Sequence, residues 1–148
     1  MINLFHSLSQ QCSKATTEMY STSFSSAIKL LHPSLRTPIF NIYGFVRFAD
    51  EIVDTFHQHN KEVLLLEFKE ATYTGIERKI SLNPILHSFQ LTVNQYKISN
   101  DLIAAFFKSM EMDLSKATYD CDGYKEYIYG SAEVVGLMCS MFFVREIK

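Results

Sequence analysis

Asp50 and Asp54 are the residues whose type and spacing first suggest chemistry. Four positions apart on a helix, two carboxylates project from one face, and Arg47 lies one turn earlier on the same stripe. Like charges at that spacing repel by about 0.3 kcal/mol. A stripe built only for stability more often alternates its signs. Such a pair suits Mg²⁺, which takes one or two protein carboxylates, keeps several waters and shares the oxygens of a substrate diphosphate. The metal neutralises the charge that grows on a departing diphosphate, and Arg47 can grip the same phosphates bidentately. Standing alone, the pair is more often a solvated helix face. Arg47 is then a partner for Asp50 or Glu51, worth about 0.3–0.5 kcal/mol.

The elements that must hold these groups are helical nearly throughout. The spacing predicts a helix over residues 4–19 and a short second one carrying Phe24, Ile28 and Leu31 up to His32-Pro33. Ser34 is expected to cap the third, with Pro38 in its first turn and an end near Phe56. Ile39, Ile42, Val46 and Ala49 form one stripe of that helix; Tyr43, Arg47, Asp50 and Asp54 form the adjoining one. After a polar break at residues 57–60, a helix restarts at Lys61 and runs to about Tyr73, with Gly75 interrupting or ending it. Asn83-Pro84 reads as an N-cap with proline at the first helical position. Asn100 and Asp101 open a further helix with Phe106, Phe107 and Met110. A loop over 115–123 then precedes a long last helix over 124–146. No repeat or linker divides the chain, so six or seven helices in one domain over 1–148 are expected.

Composition narrows the function classes. Fourteen basic against sixteen acidic residues in 148 leave a net charge of −2, which is no electrostatic footprint for nucleic acid. At 47% apolar the chain is too hydrophobic to stay disordered. Five glycines and three prolines argue against a turn-rich all-β fold and against a Gly-rich phosphate loop. Cys12, Cys121 and Cys139 form no CxxC pair, so neither a zinc site nor a disulfide framework is suggested; buried thiols in a reducing cytosol are the expectation. The first residues carry no secretory leader pattern. The longest apolar stretch, residues 134–144, is broken by Gly136 and Ser140 and falls short of the ~20 residues of a membrane span. A cytoplasmic protein follows, and the composition leaves a peripheral membrane contact open.

Three further segments belong with the carboxylate helix. They are Ser21-Thr22-Ser23-Phe24-Ser25-Ser26-Ala27 ahead of it, Ile42-Tyr43-Gly44-Phe45-Val46-Arg47 leading into Asp50-Glu51-Ile52-Val53-Asp54, and Tyr127 through Met138 (YIYGSAEVVGLM). In that order and spacing the chain resembles the squalene/phytoene synthase family, and its phytoene synthase branch most, from about Ser21 to Met138. The resemblance implies an all-α isoprenoid-synthase-type helical bundle. It also implies a Mg²⁺-dependent prenyltransferase that joins two prenyl diphosphates head to head through a cyclopropyl intermediate, in isoprenoid or carotenoid biosynthesis. By the same resemblance Asp50 and Asp54 hold Mg²⁺ on diphosphate, Arg47 binds phosphate, and Ser21 and Ser23 lie near the phosphates. Phe24 and Tyr43 line the prenyl pocket, Tyr127 stands near the reacting centre, and Val134, Val135 and Gly136 form channel wall. The chemistry suits these residue types: an allylic diphosphate ionises to a cation that must be kept from water, and aromatic faces stabilise passing positive charge. Read without the resemblance, Phe24, Tyr43 and Tyr127 are core packing, and Ser21 and Ser23 are N-caps.

Two departures from the family pattern stand out. Glu133 occupies a position where a small residue is expected, and a carboxylate facing an apolar channel needs a partner or a proton. The family's second aspartate-rich motif is absent after Gly136, and Asp113, Asp120 and Asp122 are poor substitutes by order. The chain thus reads as the N-terminal half of a larger, incomplete bundle, impaired or inactive by itself. Uncovered helix faces predict a homo-oligomer, a partner or poor solubility. The competing reading is a non-catalytic helical scaffold or assembly factor of the same fold, which has no reason to keep the Arg47, Asp50 and Asp54 stripe. A head-to-tail prenyl diphosphate synthase fits less well, because its aspartate motif is longer and it lacks the Tyr127–Met138 segment.

Overall fold

The structure is a computed structural model and describes residues 1–115 and 120–147. In chain order the helices are α1 (Ile2–Tyr20), α2 (Thr22–Ile28), α3 (Pro33–Asp54), α4 (Lys61–Arg78), α5 (Pro84–Tyr96), α6 (Asn100–Ser115), α7 (Cys121–Ile128) and α8 (Val134–Ile147). A five-residue π-helical turn, Tyr129–Glu133, joins α7 to α8. Its flanking residues keep right-handed helical dihedrals, so residues 121–147 form one rod and the described residues make seven rods in all. No strand occurs among the described residues, as an all-α reading requires.

Caps decide where the rods start and stop. Ser21 leaves the helical region at φ −149° and accepts from the Phe24 N–H, which separates α1 from α2. Asn83 Oδ1 accepts from the N–H groups of Ile85 and Leu86, with Pro84 next in line, as the dipeptide predicts. Two expectations need correction. The cap of α3 is His32, whose Nδ1 accepts from the Ser34 N–H; Pro33 takes the first helical position, where a missing N–H costs nothing, and Pro38 moves into the second turn. Gly75 does not end α4. It is buried inside the helix, which closes at Lys79 in the left-handed conformation at φ 60°. The expected 115–123 loop falls partly outside the described residues; its end is an N-cap at Asp120, which accepts from the Gly123 N–H.

α3 is the central rod and packs against α1, α4, α5, α6 and α8. Its Phe45 is fully buried and stacks on Phe89 of α5 at 3.8 Å, with Phe68, Phe106 and Phe107 around it. Against α1 the contact is of another kind. α1 buries Ser9, Ser13 and Thr17, one per turn, while Leu4 and Leu8 face outward. Small hydroxyl residues let the backbones approach: a methyl group on Gly44 would sit 2.8 Å from Ser13 Oγ. Ser13 in turn shares a hydrogen bond with Ser88 of α5 at 2.5 Å. The π turn does the same against α6, where a methyl on Gly130 would collide with the carbonyl oxygen of Ala105. With α3 held on every side but one, its last two turns are placed by the core and not by a loop.

Candidate functional site

The last two turns of α3 carry Arg47, Asp50, Glu51 and Asp54. The apolar residues between them, Ala49, Ile52 and Val53, are buried and fix the rotation of the helix, so the charged stripe faces outward along one edge. Asp50 retains a third of its side-chain exposure, and its Oδ2 stands 3.8 Å from Arg47 Nη1. Burial pushes its carboxyl up to about 6 despite that guanidinium, with Asp54, Asp113 and Glu51 adding to the rise. Asp54 is exposed.

Asp113 joins them from the last turn of α6. Burial raises its carboxyl first and Asp54 second, while Lys61 works the other way. Three carboxylates from two helices therefore share one field. Asp54 and Asp113 sit in last turns, where the helix dipole is negative and an acid is disfavoured. That placement is poor for stability and suited to a cation. Lys61 supplies one positive charge nearby: its Nζ donates to the Val53 carbonyl at 2.5 Å and lies 2.9 Å from His57 Nδ1. By its order in the chain Asp113 is a poor stand-in for the family's second motif, and in the fold its charge nonetheless reaches Asp50 and Asp54. Its one sequence signal is that Phe106, Met110 and Asp113 lie on a single stripe, so an acid continues a core-facing row.

Arg47 is engaged already. Its Nη2 donates to Glu51, its guanidinium carbon lies 4.7 Å from the Tyr20 ring centre, and its buried Nε–H has no partner. Burial opposes the charge of Arg47, and Glu51, Asp50 and Tyr43 outweigh burial, keeping the guanidinium firmly protonated. The hydrogen bond from Arg47 holds the Glu51 carboxyl low, and the hydroxyls of Thr55 and Tyr20 act in the same direction. Phe24 and Tyr43 meet ring to ring at 5.0 Å, one turn before Arg47. Ser21 spends its hydroxyl as the α2 cap, and Ser23 is exposed in the first turn of that helix.

The remaining expected residues stand on the other rod. Tyr127 is half-buried on α7. Val134 is sealed in the core, Val135 packs beside it, and Gly136 faces open space with nothing near its Cα hydrogen. Glu133 is exposed and lines a surface depression with Tyr124, Lys125, Ile128 and Tyr129, so its charge is not buried in an apolar wall. Between α3 and α4 lies an apolar groove of about 510 Å³, walled by Phe48, Ile52, Phe56, Leu64, Phe68 and Leu86, with Tyr20 and Glu51 also in its wall.

Among the described residues no group of three or more His, Cys, Asp or Glu closes into a ready-made cage. A Mg²⁺ held at Asp50 and Asp54 would therefore need waters and phosphate oxygens for most of its ligands.

Residues 17–146 match the squalene/phytoene synthase family. The chain belongs to that family. No curated protein matches it in sequence. Among solved structures, the crystal structure of a dehydrosqualene synthase in complex with ligand superposes with a TM-score of 0.78 at 18% identity, covering 90% of this chain and 47% of that one. The shared fold is thus the helical isoprenoid-synthase type, and this family member spans about half the length of the structure it matches. No helix among its described residues is long and apolar enough to cross a membrane.

Proposed function

We propose that this chain is the N-terminal half of a prenyltransferase of the squalene/phytoene synthase type, closest to the phytoene synthase branch, in which α3 and α6 bind a prenyl diphosphate. What supports it is Asp50 beside Arg47 at 3.8 Å on α3, with the charges of Asp54 and Asp113 acting on the same carboxyl. Asp50 and Asp54 would hold Mg²⁺, with Asp113 reinforcing the field. Magnesium bound there supplies positive charge to the departing diphosphate. Arg47 contacts phosphate from the same edge, and Ser21 and Ser23 lie near it. Phe24 and Tyr43 present ring faces where an allylic chain and its cationic carbon would lie. Tyr127, Val135 and Gly136 extend the apolar path along the second rod, with Val134 backing it from the core. The activity is head-to-head condensation, and residues 1–148 form one helical domain that is weakly active or inactive alone.

The test is binding of farnesyl thiodiphosphate, measured calorimetrically with and without Mg²⁺. Binding should require the metal and should vanish in Asp50→Ala/Asp54→Ala. Affinity untouched by the double change rejects the site. A well-folded wild-type chain that binds nothing favours the non-catalytic scaffold instead.

A further inference from the structure

The Arg47 guanidinium touches two residues, Glu51 at one edge and Tyr20 against its face. Glu51 accepts from Arg47 Nη2, the Tyr20 ring lies against the guanidinium at 4.7 Å, and the Tyr20 hydroxyl acts on Glu51 in the same sense as Arg47, holding its carboxyl low. Thr55, one turn after Glu51, also lowers that carboxyl. The three side chains come from two elements: Arg47 and Glu51 from α3, and Tyr20 from the end of α1 where Ser21 breaks the helix. An arginine with four side-chain torsions is normally free to choose among several acceptors, and a diphosphate must immobilise it on binding. Here that freedom is already removed. Nη2 is spent on Glu51, Nη1 is turned toward Asp50 at 3.8 Å, and Nε is buried with no acceptor. The nitrogen left to meet a ligand is therefore Nη1, on the Asp50 side of the group.

We propose that Glu51 and Tyr20 are positioning residues that clamp the Arg47 guanidinium, ring beneath and carboxylate at one edge, so that its remaining donors meet a diphosphate held beside Asp50. The inference rests on reading Asp50 and Asp54 as the diphosphate site. It assigns no contact between substrate and either residue of the clamp. Its distinguishing consequence runs against simple electrostatics. Removing a carboxylate near an anion site should tighten anion binding. Removing a clamp should loosen it, because Arg47 must then be ordered by the ligand itself.

Two measurements on the full chain separate these. The first is the rate at which phenylglyoxal modifies Arg47, read by peptide mass with the exposed Arg78 as internal reference. Glu51→Ala should raise the Arg47 rate by about tenfold, Glu51→Gln, which keeps an acceptor, by about threefold or less, and Tyr20→Phe, which keeps the ring, by a similar small factor. The second is binding of inorganic pyrophosphate with Mg²⁺. Glu51→Ala should weaken it about tenfold, while Glu51→Gln stays within about threefold of the parent. An Arg47 rate unchanged in Glu51→Ala overturns the clamp, whatever pyrophosphate does. Faster labelling with pyrophosphate affinity equal or tighter in Glu51→Ala overturns its role in presenting Arg47. A parent chain that binds no pyrophosphate and is indifferent to Asp50→Ala/Asp54→Ala removes the site reading and this inference with it, leaving the labelling result as a packing fact. If Glu51→Ala does not fold, Tyr20→Ala, which removes the ring beneath the guanidinium, carries the same comparison: the Arg47 labelling rate should rise and pyrophosphate affinity should fall, and an unchanged rate overturns the clamp.

Discussion

Asp50 is kept ionisable in a place that resists its ionisation. Burial and three neighbouring carboxylates push it up to about 6, and Arg47 only partly offsets them. The sign follows from linkage. A carboxyl whose folded value lies above its unfolded one contributes stability at low pH and loses that contribution as pH rises through the folded value. At pH 7.5 the charged Asp50 is therefore a net cost to folding. Asp50→Asn should raise stability there by about 1–2 kcal/mol, discounted for a side chain one-third exposed, and should abolish Mg²⁺-dependent ligand binding. Urea unfolding of the two chains at pH 7.5 and pH 5 checks it: the advantage of asparagine should shrink at the lower pH. A less stable Asp50→Asn would mean that Asp50 serves chiefly as the partner of Arg47. A residue that destabilises its own fold is best explained by what it binds, which is why the carboxylates weigh more here than their spacing alone.

Among the elements, the seam between α1 and α5 shows what periodicity reveals and what it hides. The 3–4 spacing of Ile39, Ile42 and Ala49, the Asn83-Pro84 start and the Asp50–Asp54 interval were legible, since each depends on residues close in sequence. The buried face of α1 was not. It is Ser9, Ser13 and Thr17, and no hydropathy pattern marks hydroxyl groups that go inside because two backbones come close. The effect of Asp113 on Asp54 was hidden for the same reason, as it comes from where α6 ends relative to α3. Within the seam, His87 is fully buried and its Nδ1 accepts from the Ser81 N–H, so its proton must sit on Nε2, from which it donates to His6 Nδ1 at 2.8 Å. Burial lowers the His87 pKa and His6 lowers it further. His6 from α1, Gln90 from α5 itself and the Ser81 backbone are the groups that face it. Nδ1 can accept from Ser81 only while the His87 ring is neutral. A histidine depressed in the folded state contributes stability above its unfolded value of about 6.5 and loses it as pH falls. Unfolding free energy should therefore decline below about pH 6.5, with a slope of at most about 1.4 kcal/mol per pH unit from this one proton. His87→Gln should flatten that part of the curve, and an unchanged slope between pH 5 and 7 would show that the pair does not control it.

For the whole molecule the decisive fact is which apolar side chains remain uncovered. α3 is largely enclosed, contrary to the expectation that its stripe lies bare, because α1, α4, α5, α6 and α8 surround it. The α7–α8 rod is different. Tyr124, Tyr129, Leu137 and Met141 keep between 36% and 58% of their surface exposed, although Val134, Met138 and Phe142 on the same rod are buried. A rod apolar on both sides belongs between two layers, and the dehydrosqualene synthase that shares this fold extends to about twice the matched length. Leu137 and Met141 lie one turn apart, and covering both would contribute about 2 kcal/mol. The isolated chain should accordingly self-associate through this face, and sedimentation velocity should show species heavier than the monomer that grow with concentration. Leu137→Glu/Met141→Glu should weaken that association about tenfold or more while leaving the helical circular dichroism intact, because both side chains are already partly in water and neither belongs to the core. Association of equal strength in the double variant would move the interface to another uncovered face, such as Leu4 and Leu8 of α1 or Val63 and Leu66 of α4. A chain that stays monomeric at every concentration would mean that the outward side of this rod tolerates water as it stands, and that the larger bundle is not needed to cover it.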